Sequence, residues 1–576
     1  MALLGVAVAL AVYTLPSSLN LPQANPGQVA EYAPVPGNSG APPGGNFAGL
    51  GLGDGGRAEG GSGPPAGSGS ATAQSPPTNF QCVGTPPRQT NDPLSPPCVP
   101  VFNGNNGGAT YQGVNATEIR VVFYFDCCTT YGGTSQGSEQ SPTHAWYDLG
   151  QSATSGEPMF ARVARVFQTY FNRRYQLYRR RAHFYAFYGN CADDSSGNCA
   201  ATPETRAADA SEAFYRVHPF AVEDFATGYH DVFAEDMAGY GVLHFGNTGL
   251  GPGAFAGEPE AFFQKHPGLI WGYDPSLEQQ AKLVSSFICQ KAVGHPVSFS
   301  GNPGDNGKTR KFGLLETTDP TFPDLHAYAE LIKKQVTACG GEIADVGTFP
   351  QACCAFEFDY NVAATNMAQF RQDGITTVIF GGGLEDQDTQ VAASIGYYPE
   401  WLVAGDHGME SNTNGSATQA PSEWTHAWAI TNEVKTPAAS RTWCYQAWGD
   451  VQPPPATSTS DVGFGCVMFN DVRQLFIGIQ VAGPRLTPAS MDQGFHAIPE
   501  VASSDPSVPA CFYGAGDYNC VKDNVAEWWD PSAHDANDNP GCWKMPLAGR
   551  RYLAGQWPTG NVDAQKNTTA DPCNSY

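Results

Sequence analysis

Apolar and polar residues alternate in two rhythms between Ile119 and about Thr431. Short β-rich runs recur: IRVVFYF at 119–125, AHFYAFY at 182–188, FAVEDFA at 220–226, VLHF at 242–245 and GLIWGY at 268–273. KFGLLE at 311–316, IADV at 343–346, TTVIFG at 376–381 and WLVAG at 401–405 continue the series. Between most of them lie segments whose apolar residues fall at helical spacing. This alternation predicts parallel sheets with helices on both faces. In such sheets ligands sit in the crevice beyond the carboxyl ends of the strands.

The helical segments carry their own punctuation. A helix is predicted from about Pro158 to Arg180, with Phe160, Val163, Phe167, Tyr170 and Phe171 on one side. Thr202 before Pro203 and Asp274 before Pro275 read as helix starts, a cap residue followed by proline at the first helical position. The second helix shows Leu277, Ala281, Val284 and Ile288 at steps of four, three and four, and ends at Gly294. Pro323 opens a third, with Leu325, Tyr328, Leu331 and Ile332 facing inward. After Thr431 the pattern loosens until MFNDVRQLFIGIQVAG at 468–483, which is helical again. Residues 500–576 show little periodicity and predict an irregular, disulfide-tied C-terminal cap.

Length and composition narrow the picture. At 576 residues the chain exceeds one ordinary core, so two or three domains are expected. The net charge of −25 excludes nucleic acid as a partner, because phosphate binding needs a basic face. Sixteen cysteines in an α/β chain point to disulfides and an oxidising compartment. Local loops Cys82–Cys98, Cys191–Cys199 and Cys511–Cys520 are expected, with Cys127/Cys128 and Cys353/Cys354 reaching distant partners. The start, MALLGVAVALAVYTL, is short for a membrane span and suits a signal peptide or the tail of an anchor within 1–22. Residues 23–79 are dominated by Pro, Gly, Ser and Ala and read as a disordered linker. With its small Cys loop that linker region is bounded at 23–115.

Several strings imitate known chemistry. GNPGDNGKT at 301–309 has five residues between Gly301 and Gly307 where a P-loop has four, and it runs into a strand. GPGAFA at 251–256 matches a relaxed dinucleotide fingerprint with Asp274 beyond it, but Pro252 occupies the tight turn. Asp274 reads better as a helix cap. GTSQG at 133–137 matches the nucleophile-elbow string, yet no helix follows until about Pro158. DANDNPG at 535–541 has calcium-loop spacing, with Pro540 and Pro546 where Gly and Glu are needed. None of these supports a cofactor, a metal site or catalysis, and no cofactor is expected.

Longer stretches carry a resemblance. GLIWGYDPSLEQQAKLVSSFI at 268–288, KFGLLETTDPTFPDLHAYAELIKKQVTACGGEIADVGTFP at 311–350, NMAQFRQDGITTVIFGG at 366–382 and AGPRLTPASMDQGF at 482–495 follow one another in order. Over Ile119 to about Ile498 the chain resembles the type I periplasmic binding proteins, closest to the branched-chain amino acid and amide receptors of ABC importers. GRRYLAGQWP at 549–558 looks like a tail common in actinobacterial members. The resemblance implies two doubly wound α/β lobes joined by three crossings. Lobe 1 would span 116–267, lobe 2 268–432, a return to lobe 1 433–500 and the cap 501–576. It further implies a monomer outside the cytoplasm, secreted or anchored through its N-terminus. That monomer would capture a small polar solute between its lobes and deliver it to a membrane permease. Strand-end loops would then present Asp126, Thr129, Asn247, Thr248, Thr317, Thr318, Asp319, Gly382, Asp406 and His407 to the solute. Carboxylates such as Asp319 and Asp406 suit an ammonium, and Thr248 with nearby amides a carboxylate. An extracellular sensor or adhesion module on the same lobes is the alternative, and a secreted serine hydrolase using Ser135 is a third reading.

Overall fold

The computed structural model describes residues 80–573, apart from 126, 128–129, 135–136, 155, 194–198, 227–229, 247–256, 319–322, 351–359, 382–385, 406–411, 413–418, 433–441, 452–458, 501–504, 506 and 536–537. The expected leader at 1–22 and the linker through residue 79 lie outside the described residues. No described helix is long and apolar enough to cross a membrane.

The first sheet is built from strands β1 (Glu118–Phe125), β2 (Ala145–Asp148), β3 (Arg181–Tyr188), β4 (Ala221–Asp224) and β5 (Leu243–Phe245). Their order is β2-β3-β1-β4-β5, all parallel except β2, which pairs antiparallel with β3. Apolar residues cover both faces of β1, as a central parallel strand requires. Ile119, Val121, Phe123 and Phe125 face α1 (Met159–Arg174), while Val122 and Tyr124 face α2 (Pro203–Val217) and α3 (His230–Gly239). Thr202 caps α2 in a reciprocal capping box with Thr205, with Pro203 in the first turn. α1 stops at Arg174, short of the Arg180 expected, because Tyr175 turns to extended backbone.

The second sheet repeats the scheme with β6 (Phe312–Thr317), β7 (Ile343–Phe349), β8 (Thr377–Phe380), β9 (Glu400–Ala404) and β10 (Ala427–Thr431). The parallel order is β7-β6-β8-β9-β10. Helices α4 (Leu277–Phe287) and α5 (Pro323–Ala338) cover one face, and α6 (Tyr360–Asp373) and α7 (Asp386–Ile395) the other. In both sheets the first strand in sequence lies between the next two parallel strands, β1 between β3 and β4 and β6 between β7 and β8, so each has a switch point where the winding direction reverses.

The long helix α8 (Thr459–Ala482) packs back on α1 of the first lobe through Phe469, Val472, Leu475, Phe476 and Ile479. Residues 80–115 are packed against the same helix, although composition grouped them with the linker. Gln89 donates to Gln480 at 3.1 Å, and Asp92 pairs with Arg473 at 2.8 Å with both side chains 3% exposed.

The C-terminal region departs from the irregular cap expected. β11 (Asp523–His534) and β12 (Pro540–Lys544) extend the second sheet, antiparallel beyond β10. Trp528 enters the core on one face and Trp529 the core on the other. With both faces buried, β11 shows no alternation of apolar and polar residues, which is why its sequence reads as aperiodic. Disulfides Cys82–Cys98 and Cys511–Cys520 match the expected loops. Cys191 does not pair with Cys199; it pairs with Cys127. β1 and β3 run side by side in register, so the cysteines just past their ends lie close together. Cys289–Cys339 and Cys542–Cys573 are also bonded.

A charged clamp closes the other end of the first sheet. His183 bonds Glu118 at 2.6 Å and Asp148 at 2.5 Å. Burial alone would lower its pKa, but the bonds to Asp148 and Glu118 outweigh burial and raise it to about 9. Glu118 is lowered mainly by His183; Asp148 is lowered because that bond overcomes its own burial. The imidazolium's contribution is complete below the unfolded value of 6.5 and is lost as pH rises through about 9. The carboxylates' contribution fades on the acid side, as pH falls below the ordinary carboxylate range. His183→Gln should therefore cost on the order of 1–2 kcal/mol near pH 6, allowing for solvent at Asp148. The difference from the parent should vanish above about pH 10, one unit past that titration. A parallel shift at every pH, in urea unfolding from pH 5 to 10, would contradict the assignment.

Candidate functional site

Three segments join the lobes and are bonded to one another. The first follows Leu269–Gly272, which runs parallel to β5 at Ile270 and continues through Tyr273 and Asp274 into α4. The second leaves β10 at Thr431–Asn432. The third returns from the first lobe through Tyr518–Val521 and enters β11. Gly272 donates to Tyr518 O at 2.9 Å, Cys520 to Gly272 O at 3.0 Å and Val521 to Tyr273 O at 2.9 Å. Asn519 Nδ2 reaches Asp274 O at 2.8 Å, and Asn432 Nδ2 reaches the Asp274 carboxylate at 3.1 Å. Arg551, itself buried and paired with Asp523 at 2.8 Å, donates to Asn432 O at 2.6 Å. Asp274 is thus a junction residue, and the cap of α4 is Ser276, whose side chain accepts from Gln279 N.

This junction fixes how the sheets meet. Asp274 follows the last parallel run of the first lobe, and Asn432 follows the last parallel strand of the second. Their contact joins the carboxyl edges of the two sheets, so the switch-point crevices open on the junction side of both lobes.

On the first lobe the switch point lies between β1 and β4. Asp224 closes β4 by accepting from Ala226 N at 2.9 Å and contacting His244 Nε2 at 3.2 Å, both side chains fully buried. Gly246 has φ +80°, and a Cβ there would lie 2.5 Å from Asp224 O, so only glycine fits this strand end. Beside β1, Tyr124 donates to Asp209 at 2.6 Å and accepts from Arg206 at 2.5 Å, while Asn190 N donates to Asp209 at 3.0 Å. That network and the Cys127–Cys191 bond hold the loops after β1 and β3. Glu223, one residue before Asp224, is fully buried, and among the described residues neither carboxyl oxygen has a hydrogen-bond partner. Burial, with the charge of Asp471 added, pushes its pKa well above the carboxylate range. Asp471 on α8 is partly exposed; burial and the charge of Asp274 raise it to about 8 against the pull of Arg473. Arg473 is engaged by Asp92 and by Tyr273 Oη at 3.2 Å.

On the second lobe the switch point lies between β6 and β8. Of the ten residues named from sequence, Thr317 and Thr318 are described, and both stand at the end of β6. Thr317 is buried, and Thr318 is exposed with its hydroxyl turned to Phe349 O at 3.0 Å. A Cβ on Gly381, at the end of β8, would lie 2.7 Å from Leu315 O, so the two strand ends approach closely there. Asp126, Thr129, Asn247, Thr248, Asp319, Gly382, Asp406 and His407 lie outside the described residues.

Glu223, Asp471 and Asn432 escaped the sequence reading. The signals existed: an acidic pair closing the apolar run FAVEDFA, and one acid inside the apolar helix MFNDVRQLFIG. GPGAFA at 251–256 lies outside the described residues, and the other imitative strings fall in turns and strands. GNPGDNG forms turns that lead into β6, and GTSQG spans the antiparallel hairpin Thr130–Thr134/Gly137–Gln140, with Ser135 itself outside the described residues. Asp535 and Asn539 bond each other in the turn from β11 to β12.

No protein-family model matches the chain, and no curated protein does. Among solved structures it is similar to an ABC transporter substrate-binding protein from Aeropyrum pernix, at 11% identity and TM-score 0.47 over 76% of this chain and 96% of that one. A putative branched-chain amino acid ABC transporter protein from Silicibacter pomeroyi gives 10% identity and TM-score 0.47 over 76% and 99%. A solute-binding protein from Rhodopseudomonas palustris BisB5, solved with 3,4-dihydroxybenzoic acid, gives 11% and 0.43 over 76% and 98%. These are proteins of the class that the sequence patterns resemble.

Proposed function

We propose that this chain is an extracytoplasmic solute-binding protein that closes its two lobes on a small polar solute and delivers it to an ABC importer. One observation carries the reading: the Asp274–Asn432 contact joins the carboxyl edges of two doubly wound sheets. Crevices at both switch points then face one cleft, with a narrow bonded junction able to act as a hinge. Asp126, Thr129, Asn247, Thr248, Thr317, Thr318, Asp319, Gly382, Asp406 and His407 are the strand-end residues proposed to line it. The five described disulfides support a compartment outside the cytoplasm. Binding would involve no covalent chemistry; the described strands on either side of the nucleophile-like string pair antiparallel with each other, where an elbow needs a helix to follow.

A thermal-shift panel of amino acids, amides, short peptides and aromatic acids tests the proposal. A true solute at a hundred times its Kd should stabilise by about 2.7 kcal/mol, several degrees in Tm. A panel without any shift, or hydrolysis of an ester that Ser135→Ala abolishes, would displace the receptor reading.

A further inference from the structure

The C-terminal tail folds over the second lobe and leaves a narrow pocket beneath it. Phe287, Trp428, Tyr552 and Trp557 wall this pocket, and Lys291 and Arg550 are the charged residues that line it. No acid lines it, in a chain whose net charge is −25. Lys291, on the turn Ile288–Ala292 that prolongs α4, is 1% exposed. Its ammonium donates to Pro558 O at 2.9 Å and pairs with no carboxylate among the described residues. Asp563, the acid whose charge reaches it, is held by Ser298 Oγ at 2.8 Å. A buried cation without a countercharge is costly. Arg550 is exposed and lies over the Tyr552 ring at 5.4 Å. Trp557 is 7% exposed, and its ring meets Phe287 and Tyr552 at 4.8 Å each. Its buried indole N–H has no acceptor among the described residues, which calls for a function, a water or an ion. The turn Pro546–Gly549 forms the lip, with φ of +54° at Leu547 and +57° at Ala548. Such strain in residues other than glycine gathers at ligand sites. The space inside is about 10 Å³, taken at the centre of a water-sized guest, which is room for one water or one monatomic ion.

We propose that this pocket binds a monovalent anion of chloride size between the Lys291 ammonium, the Trp557 indole N–H and the Arg550 guanidinium, and that the anion fastens the tail to the second lobe. Two cations and an unused donor call for a guest that accepts hydrogen bonds and carries negative charge. The positive edges of the aromatic walls favour the same guest. Size decides among anions: sulfate and phosphate exceed a space made for one atom. Water fits by size but brings no charge to offset Lys291. The bound ion would bridge Lys291, on the lobe, to Trp557 and Arg550, on the tail. Trp428 stands near the amino end of β10, and Phe287 ends α4 at the side away from the junction, so the pocket is remote from the strand-end crevices. The site stands whether or not a solute binds between the lobes.

The experiment exchanges gluconate for chloride at constant ionic strength on the full chain. It reads the chloride NMR line width, which bound ion broadens, together with the Tm. Chloride should broaden saturably, bromide should compete, and Tm should rise with the logarithm of chloride as for any ligand of the folded state. Half-saturation should fall below the ~0.15 M of physiological ionic strength. Trp557→Phe keeps a ring in place but loses the N–H, and should weaken chloride by roughly tenfold or more, the worth of one hydrogen bond to a charged group. Lys291→Met should abolish the broadening and the chloride-dependent part of Tm, yet melt in gluconate at or above the parent temperature, since a buried cation is gone. General salt effects act on parent and variants alike and cancel in the difference. If Trp557→Phe fails to fold, Lys291→Met decides alone. If Lys291→Met broadens chloride like the parent, the ion binds elsewhere and the assignment is wrong. If Lys291→Met melts several degrees lower in gluconate, the ammonium is a strut to Pro558 and the site falls. If the parent shows no saturable broadening, or only above physiological salt, the pocket holds water or an adventitious ion only, and the proposal is overturned.

Discussion

Arg310→Ala is expected to destabilise the second lobe by about 3–5 kcal/mol, because it strips the cation from a carboxylate buried at the amino end of the sheet. Arg310 is 1% exposed and grips Glu400, 0% exposed, through two parallel bonds of 2.7 and 3.0 Å. Glu400 also accepts from Ser298 N at 2.7 Å, Phe299 N at 3.0 Å and Thr377 Oγ1 at 2.7 Å. Without the guanidinium those three donors remain, but a full charge is left in the core. Arg310 also donates to Asn561 at 2.6 Å, anchoring the tail that sends Trp557 into the core against Phe287. Urea unfolding and limited proteolysis check the expectation together: stability falls and the tail becomes cleavable. A loss under 1 kcal/mol would mean that the three other partners suffice.

The second large effect concerns the strand ends that shape the cleft. Cys127–Cys191 closes a 64-residue separation, and the chain-entropy account makes such a bond worth about 4 kcal/mol. Cys127→Ser with Cys191→Ser should lower stability by roughly that amount. It should also weaken solute binding by roughly tenfold, since loops held in place would have to be ordered on binding. The Gly189 N to Phe125 O bond of 3.0 Å and the Asp209 network keep the strands paired, so the fold survives. Unchanged affinity at reduced stability would place the disulfide outside the function.

The alternation of runs was enough to predict both sheets, because fully buried parallel strands are the loudest signal a sequence carries. β1, β3, β6 and β9 stand within a residue or two of their predicted bounds. β2 has four half-buried residues on an edge and left no such signal. β11 was misread for the opposite reason, burial on both faces under a mixed composition of Trp, Glu and Asp. Sequence named polar residues in strand-end loops, where turn formers are common. It passed over Glu223, since an acid inside a strand stands out only once its lack of partners among the described residues is seen. Asp274 shows the same limit: a cap before Pro275 in sequence, a junction with Asn432 in space.

Small-angle scattering of the full chain, with and without the solute that gives the largest thermal shift, tests the central claim most directly. Capture between lobes predicts a smaller radius of gyration at saturation, and no such change when Asn432→Ala and Asn519→Ala have loosened the junction. A solute that binds tightly while the scattering curve stays the same would contradict closure and with it the receptor account.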